Sequence, residues 1–301
     1  MSKEIRNMAA SVKAKLLKIA KMNKVDYTRI LQRYAQERFL YRLSISTFKS
    51  NLVLKGAMMF LAYGLPDLRP TKDIDFLGTA ISNKPDNIKR IIKQITSIQY
   101  NDAIIFDGEN LKVSVIIEEG EYHGVRIIIP WYIEKTKGNL QLDIAFGDQI
   151  HNGPIEVKFP TLIDPDKPQI MVYSKETALA EKLQIIISLN YETSRMKDFY
   201  AIYYLCCHSS FILSNLHKAV LQTFENRNTP LQDIEIIFSK EFQTNKEKHT
   251  QWKSFLSRNR LNDEPNFMHL MIKLKTFFLP LLQSNKDLVW NPKKWSWENT
   301  K

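Results

Sequence analysis

The spacing of apolar residues divides the chain into a helical start, a mixed middle and a helical end. In the first 50 residues apolar side chains recur every three or four positions, as at Leu16 and Ala20, which predicts amphipathic helices. From residue 51 the pattern changes to short apolar runs, beginning with residues 52–54 and a Lys55-Gly56 turn. This change predicts a strand, a glycine turn and a helix.

Strand-like patterns dominate the middle of the chain. Residues 72–77 alternate charged and apolar side chains, which predicts a strand with one polar face. A helix is expected to open at Ser82 or Asn83, with Pro85 just inside it. Four further strand-like runs follow, at residues 103–106, 112–117, 125–133 and 140–146.

Helical spacing returns after a proline-bearing link at residues 154–168, with Ser174 as a predicted N-cap. We therefore expect an α+β protein in three parts. The expected domains are an N-terminal helical arm, a core with a mixed sheet and a C-terminal helical bundle, at residues 1–50, 51–165 and 166–301.

Composition narrows the class of protein. The 301 residues are 44% hydrophobic and 25% charged, which is typical of a globular chain. No apolar run approaches 18 residues and the N-terminus lacks an apolar signal core, so we expect no membrane association and no secretion. The adjacent Cys206 and Cys207 have the spacing of neither a disulfide framework nor a metal site. These features predict a cytoplasmic protein.

Positive charge is concentrated at the two ends of the chain. The formal net charge is +11, and residues 1–50 carry 12 Lys and Arg against 3 Asp and Glu. Residues 240–301 carry 12 against 6, so the centre is net acidic. Basic ends suit a phosphate-rich partner, and an acidic centre suits a metal site. Solvated helix faces would produce the same basic excess.

Asp73 and Asp75 are the first candidates for chemistry. They lie two residues apart on a predicted strand, so both carboxylates are expected on one face. Like charges this close are costly unless a cation lies between them or one is protonated, and hard oxygen ligands suit Mg²⁺. A solvated strand face would show the same pattern. Asp143, on a later alternating strand, would complete the carboxylate set used in two-metal phosphoryl transfer.

Two blocks around this pair resemble the signature of the nucleotidyltransferase superfamily. They read Leu54-Lys55-Gly56-Ala57 and Arg69-Pro70-Thr71-Lys72-Asp73-Ile74-Asp75. More closely, the chain resembles the AbiEii family of toxins from type IV toxin–antitoxin and abortive-infection systems. Further blocks carry this likeness, at residues 11–43, 142–148, 176–183 and 194–200. The family usually has a second glycine at the position of Ala57.

The resemblance implies a nucleotidyltransferase-like mixed-sheet core and a set of site residues. Asp73 and Asp75 would bind Mg²⁺ or Mn²⁺, Lys182 would face the triphosphate, and Asp198 would be the last acidic residue of the site. Candidate nucleotide-binding residues are Lys55, Gly56, Ala57, Arg69, Thr71, Arg195 and Lys197. Without the resemblance, Lys182 would be interpreted as an exposed lysine on a helix, and Arg195 and Lys197 as cations at a helix end.

The implied function is a toxin that transfers a nucleoside monophosphate from an NTP to the 3′ end of tRNA and so inhibits translation. Either Asp143 or Asp198 would help to deprotonate the acceptor hydroxyl. A cognate antitoxin is the expected partner. The alternatives are nucleotidylation of a protein or of a small molecule such as an aminoglycoside, and a catalytically inactive nucleotide-binding protein.

The N-terminal helices offer a candidate surface for acceptor RNA. Arg29, Arg33 and Arg38 are expected near the polar side of one helix, with Tyr34 and Tyr41 among its less polar residues. The preceding helix is rich in lysine. In the competing interpretation Tyr34, Phe39 and Tyr41 dock this segment on the core and the arginines are only solvated.

Overall fold

The computed structural model describes residues 7–65, 71–118, 121–261, 263–283 and 288–299, and the elements below lie within them. The helices are α1 (Met8–Met22), α2 (Tyr27–Ser44), α3 (Gly56–Ala62), α4 (Pro85–Thr96), α5 (Lys175–Leu189), α6 (Met196–His208), α7 (Leu213–Asn226), α8 (Ile234–Ile237), α9 (Lys240–Gln243), α10 (Lys246–Asn259), α11 (Phe267–Phe278) and α12 (Pro280–Gln283). The strands are β1 (Leu52–Lys55), β2 (Asp73–Gly78), β3 (Ile105–Phe106), β4 (Lys112–Glu118), β5 (Glu121–Ile133), β6 (Thr136–Ala145), β7 (Ile155–Lys158), β8 (Gln169–Val172), β9 (Leu288–Asn291) and β10 (Ser296–Asn299).

The chain folds into two compact units. The first runs to Gly147 and includes Pro154–Tyr173, so it contains α1–α4 and β1–β8. The second comprises Asp148–Gly153 and the chain from Ser174, with α5–α12, β9 and β10. The division into three domains concerns which segments fold independently, and it stays a prediction.

A mixed sheet organises the first unit, in agreement with the expected α+β fold. Its strand order is β3-β5-β6-β2-β1-β8-β7, and β4 also pairs with β5. The β1–β8 and β2–β6 pairs are parallel, and the other pairs are antiparallel. Alternation along β2 buries Ile74 and Phe76, and alternation along β6 buries Leu142 and Ile144. The polar residues of both strands therefore share the opposite face.

The strands that the sequence predicted in the middle of the chain are confirmed, with shifts of a few residues at their ends. Two further strands, β7 and β8, lie in or directly after the segment expected to be a proline-bearing link. Both are only four residues long, and β8 joins the sheet through a parallel pairing of Val172 with Leu54. Short strands held by distant partners carry little local signal.

Helix α2 packs inside the first unit, and three of its four arginines form ion pairs there. Arg42 holds Asp102 through two hydrogen bonds of 2.8 and 3.0 Å, and both side chains are buried. Arg38 is fully buried and pairs with Asp164, while Arg33 donates to Glu37 within the helix. The expectation that Arg33 and Arg38 face RNA is therefore wrong. Their hydrogen-bond partners outside the helix lie up to 128 residues away, where a local pattern cannot show them.

Aromatic docking of α2, the competing interpretation, is confirmed for two of its residues. Tyr34 and Phe39 are buried, and the Tyr34 hydroxyl donates to the backbone oxygen of Asp102 at 2.7 Å. The preceding helix, α1, keeps Lys15, Lys18 and Lys21 exposed. Exposed basic charge in the N-terminal segment thus lies on α1 more than on α2.

The second unit is mainly helical. Helix α5 begins where the sequence predicted, because the Ser174 side chain accepts a hydrogen bond from the backbone N–H of Thr177. The β9–β10 hairpin interrupts the expected helical bundle, and it buries Trp290 edge-on against Phe277. Within the described residues, every helix is too short or too polar to cross a lipid bilayer.

The buried pair of Arg42 and Asp102 yields a stability prediction. We expect Asp102→Ala to lower the free energy of unfolding of the first unit by about 3–5 kcal/mol, because it leaves a buried guanidinium without its partner. Urea unfolding followed by hydrogen exchange of peptides from β2 and β6 measures this. The matched control, Glu109→Ala, breaks an exposed pair with Lys93 and should cost less than about 1 kcal/mol. Equal losses of unfolding free energy for the two variants would contradict the conclusion that the buried pair of Arg42 and Asp102 stabilises the first unit.

Candidate active site

Three carboxylates converge on one face of the mixed sheet. Strands β2 and β6 run parallel, with Asp75 opposite Asp143 and Asp73 opposite Gln141. One oxygen from each of Asp73, Asp75 and Asp143 lies within 4.8 Å of the others, and all three residues are half-buried. The structure thus brings together the three carboxylates that the sequence singled out. We refer to them as the acidic triad.

The register of four strands extends this arrangement into a row of charges. Lys55 on β1 lies opposite Asp75, Asp75 lies opposite Asp143, and Asp143 lies opposite Arg126 on β5. Residues paired across neighbouring strands share a face of the sheet. Two carboxylates in the middle of the row are therefore flanked by a cation at each end.

The Arg126 guanidinium forms a bidentate ion pair with the Asp143 carboxylate. Its Nε and Nη2 atoms each lie 2.8 Å from a different carboxylate oxygen, and the Gln141 amide donates to both oxygens at 3.2 Å. The hydrogen bond to Asp143 raises the pKa of Arg126, and the charges of Asp73 and Asp75 add to this. Sequence reasoning missed Arg126 and Gln141. For Arg126, the signal available in the sequence was its position as a single charged residue inside the apolar run of β5.

Gly56 is required by the close approach of Asp75. Its φ of +67° is unfavourable for other residues, and an added Cβ would lie 1.9 Å from Oδ2 of Asp75. The neighbouring Lys55 and Ala57 are half-buried, and the Lys55 ammonium lies 5.0 Å from the centre of the Tyr173 ring. The glycine turn therefore makes room for a carboxylate of the triad. Its predicted role in nucleotide binding stays a prediction.

The segment before β2 is also held in place. The Thr71 hydroxyl donates to Oδ1 of Asp73, and the buried Gln36 amide on α2 donates to the Thr71 carbonyl at 3.1 Å. Thr71 thus orients a triad carboxylate, a contact that the sequence did not predict. Arg69, the other candidate in this segment, lies outside the described residues.

The second unit contains a cluster of charged residues around Asp198 in which positive charge exceeds negative charge. Helices α5 and α6, joined by a 3₁₀ turn at Asn190–Glu192, place Lys182 Nζ 2.8 Å from Oδ1 and Arg195 Nε 2.7 Å from Oδ2. The Asp198 side chain is only 4% exposed. Burial would raise its pKa, but Lys182 and Arg195 outweigh burial and lower the pKa to about 2. Lys197 is exposed on the first turn of α6.

A buried lysine that sequence reasoning missed stabilises the turn before this cluster. Lys248 on α10 is 1% exposed and donates to the carbonyls of Tyr191 and Thr193 at 2.6 Å each. Burial lowers its pKa. The contact fixes the backbone directly before Arg195 and Asp198.

The acidic triad fits a divalent cation of the Mg²⁺ or Mn²⁺ type. Its donors are carboxylate oxygens, the ligands these hard cations prefer. Their mutual distances allow one ion to contact all three residues. The triad also carries more negative charge than Arg126 alone can balance, so a bound cation would relieve repulsion.

The mixed sheet and its acidic triad agree with the nucleotidyltransferase class that the sequence blocks implied. The family described as "Nucleotidyl transferase AbiEii toxin, Type IV TA system" matches residues 38–277, and the chain belongs to this family. The resemblance drawn from the sequence blocks is thereby confirmed.

Three solved structures are similar to this chain. A candidate nucleotidyltransferase from H. pylori is 13% identical with a TM-score of 0.43, covering 83% of this chain and 99% of that one. JHP933 from Helicobacter pylori is 14% identical with a TM-score of 0.42, covering 84% and 97%. An antigenic nucleotidyltransferase-like protein from Paracoccidioides brasiliensis is 11% identical with a TM-score of 0.31, covering 77% and 94%. No curated protein matches the sequence.

The low pKa of Asp198 yields a prediction for stability in acid. A pKa of about 2, below the ordinary value near 4, means that ionised Asp198 stabilises the fold above pH 4 by about 2 kcal/mol. This contribution is lost as the pH falls towards 2. We therefore expect the stability difference between the parent and Asp198→Asn to shrink by about 1 kcal/mol between pH 6 and pH 3.

Tryptophan fluorescence can follow the unfolding of the second unit alone. In a Trp131→Phe background, the remaining tryptophans all lie in the second unit, at positions 252, 290, 295 and 297. Urea unfolding at each pH then gives the difference, and exposed Asp263→Asn serves as the control. A difference that stays constant from pH 6 to pH 3 would show that Asp198 is not held ionised by its two cations.

Proposed function

We propose that the protein is a metal-dependent toxin that transfers a nucleoside monophosphate from an NTP to the 3′ end of tRNA and thereby blocks translation. The observation that carries the proposal is the acidic triad, with three carboxylate oxygens within 4.8 Å of one another on two neighbouring strands. Membership of the AbiEii family supports the toxin role. The cytoplasm, where tRNA is used, is the proposed location.

The proposed reaction joins the acceptor hydroxyl oxygen to the α-phosphorus and breaks the bond to the β-phosphate, releasing pyrophosphate. Divalent cations, when bound, would stabilise charge on the α-phosphate and lower the pKa of the attacking hydroxyl. Asp73 and Asp75 would hold them. Asp198 would be a weak base for the hydroxyl proton, because its pKa is near 2. Asp143 is the other candidate to accept this proton.

The cationic residues of the second unit are proposed to contact the nucleotide. Lys182 and Arg195 together carry one more charge than Asp198 can balance, and both remain partly exposed. A surplus cation stabilises the negative charge that develops on leaving pyrophosphate. The roles of Lys55, Gly56 and Lys197 in nucleotide binding rest on the family resemblance alone.

An RNA acceptor is supported by the exposed lysines of α1. Lys15, Lys18 and Lys21 are exposed, whereas Lys13 pairs with Glu134 at 2.5 Å. Neutralisation of phosphates by such side chains drives binding to RNA without regard to sequence. A cognate antitoxin is the proposed protein partner, as the type IV system of the family implies.

Transfer of radiolabel tests the proposal. The protein is incubated with each of the four α-³²P-labelled NTPs, Mg²⁺ and a mixture of total RNA and total protein. We expect label in the RNA fraction at the size of tRNA. Asp73→Asn and Asp75→Asn should each reduce transfer at least a hundredfold, because metal coordination contributes several kcal/mol to such reactions. Their stability should hold or rise as repulsion is relieved.

Asp86→Asn, which removes an exposed carboxylate on α4, is the matched control and should transfer at the parent's rate. Label in the protein fraction would show that the acceptor is a protein and not RNA. Absence of label with every NTP would favour an inactive nucleotide-binding protein. Full activity of either triad variant would contradict the metal assignment.

The basic face of α1 yields a separate prediction. Replacing Lys15, Lys18 and Lys21 by Gln should weaken RNA modification and reduce the slope of log affinity against log salt by about 2. Filter binding across a salt series measures the slope. Replacing Lys84, Lys89 and Arg90 by Gln removes the same charge from α4 and the residue before it, and should leave the slope unchanged. Equal slopes for the two triple variants would place the acceptor elsewhere.

A further inference from the structure

The face of the sheet that carries the acidic triad continues past the triad onto strands β5 and β4. Gln141 on β6 lies opposite Asp73 on β2. On its other side Gln141 lies opposite Ile128 of β5, which in turn lies opposite Lys112 of β4. Residues paired across neighbouring strands share a face of the sheet. The surface that begins at the triad therefore extends across three further strands to β4.

The same face also runs lengthwise along the β5–β6 hairpin to its turn. Tyr132 near the end of β5 lies opposite Lys137 near the start of β6. Lys137 and Asp143 are six residues apart on β6, which corresponds to about 20 Å at the rise of an extended strand. A strip of sheet surface of this length therefore leads from the turn to the triad.

Solvent reaches this strip, because helix packing occupies the other side of the sheet. Phe39 of α2 contacts Phe76, which lies on the buried side of β2. Exposed or half-buried side chains remain on the side of the triad, and the charged ones among them are all cations. We refer to this surface as the β4–β6 face, made up of Lys112, Arg126, Ile128, Tyr132, Lys137 and Asn139.

The lysine-rich helix α1 is attached at the far end of the β4–β6 face. Lys13 on α1 pairs at 2.5 Å with Glu134, which lies in the turn between β5 and β6. Lys15, Lys18 and Lys21 are exposed along the same helix. The exposed lysines of α1 and the β4–β6 face are therefore joined at this turn, and the acidic triad lies at the other end of the face.

The chemistry of the β4–β6 face suits a single strand of nucleic acid. Proteins bind single strands by combining cations along the backbone with aromatic rings on which bases stack. Lys112 and Lys137 are exposed cations on this face, and Tyr132, which is 36% exposed, offers a ring directly opposite Lys137. The paired bases of a duplex are stacked on one another and offer such a ring no free face.

We propose that the β4–β6 face binds the single-stranded 3′ end of the acceptor RNA, with Tyr132 stacked on one base and the terminal hydroxyl at the acidic triad. The inference rests on the proposed function, since it takes RNA to be the acceptor. In this arrangement the lysines of α1 contact phosphates further from the 3′ end.

A competing interpretation makes the β4–β6 face the ordinary solvated side of an antiparallel sheet. Binding of RNA would then depend on the lysines of α1 alone. A lysine-rich helix binds a duplex at least as tightly as a single strand, because the duplex carries the higher density of phosphate charge. The two interpretations therefore differ in whether a single-stranded end strengthens binding and in whether Tyr132 matters.

Fluorescence anisotropy with two labelled RNA stem-loops tests the proposal on the full chain, with Mg²⁺ and without NTP. One stem-loop has a single-stranded 3′ overhang, and the other has the same stem with a blunt end. The parent should bind the overhang form on the order of tenfold more tightly. Tyr132→Ala should abolish this preference because the ring is lost, whereas Tyr132→Phe keeps the ring and should retain the preference.

A pair of lysine variants tests the cations separately. Lys112→Gln combined with Lys137→Gln should reduce the slope of log affinity against log salt for the overhang form by about 1.4, because two contacts to single-stranded phosphates are lost. The matched control, Lys84→Gln combined with Arg90→Gln, removes two exposed charges at α4 and should leave the slope unchanged.

Equal affinity of the parent for the two stem-loops would overturn the inference. So would a preference for the overhang that survives in Tyr132→Ala, or a salt slope that the two lysine substitutions leave unchanged. A preference that depends on Tyr132 in a protein that transfers no nucleotide would contradict the proposed function and leave the β4–β6 face standing. Transfer of label to a protein, without preference for the overhang, would overturn the inference and leave nucleotidyl transfer standing.

Discussion

Repulsion among three carboxylates on neighbouring strands is the constraint on which the rest of the first unit depends. The strand register brings Asp75 and Asp143 side by side, and it is set by the apolar residues next to them on each strand, Ile74 and Leu142, which are fully buried. A slip of one residue would turn every carboxylate towards the core. The fold therefore maintains the triad by burying the other face of the same strands.

The balance of charge around the carboxylates has opposite sign in the two units. In the first unit the triad outnumbers its paired arginine, Arg126, and the surplus is negative, which suits a cation. In the second unit Asp198 is outnumbered by Lys182 and Arg195, and the surplus is positive, which suits a phosphate. In the proposed function, the metal and the nucleotide would therefore be bound by separate clusters, each supported by its own local packing.

Local pattern predicted the parts of the structure that depend on neighbouring residues. Alternation along β2 and β6 was enough to place Asp73, Asp75 and Asp143 on polar faces, and the family blocks brought Lys182 and Asp198 to attention. Contacts between distant segments were not predictable in this way. Arg126 meets Asp143 only through strand pairing, and Arg38 meets Asp164 across 126 residues, so the sequence pattern did not decide whether α2 offers an RNA surface or packs on the core.

Anomalous scattering from Mn²⁺ tests the central claim most directly. Crystals of the protein soaked with MnCl₂ and a non-hydrolysable NTP would be measured near the manganese edge. The account predicts an anomalous peak within coordination distance of carboxylate oxygens from Asp73 and Asp75, absent from crystals of Asp73→Asn. A triad without a peak, or manganese bound only at other residues, would contradict it.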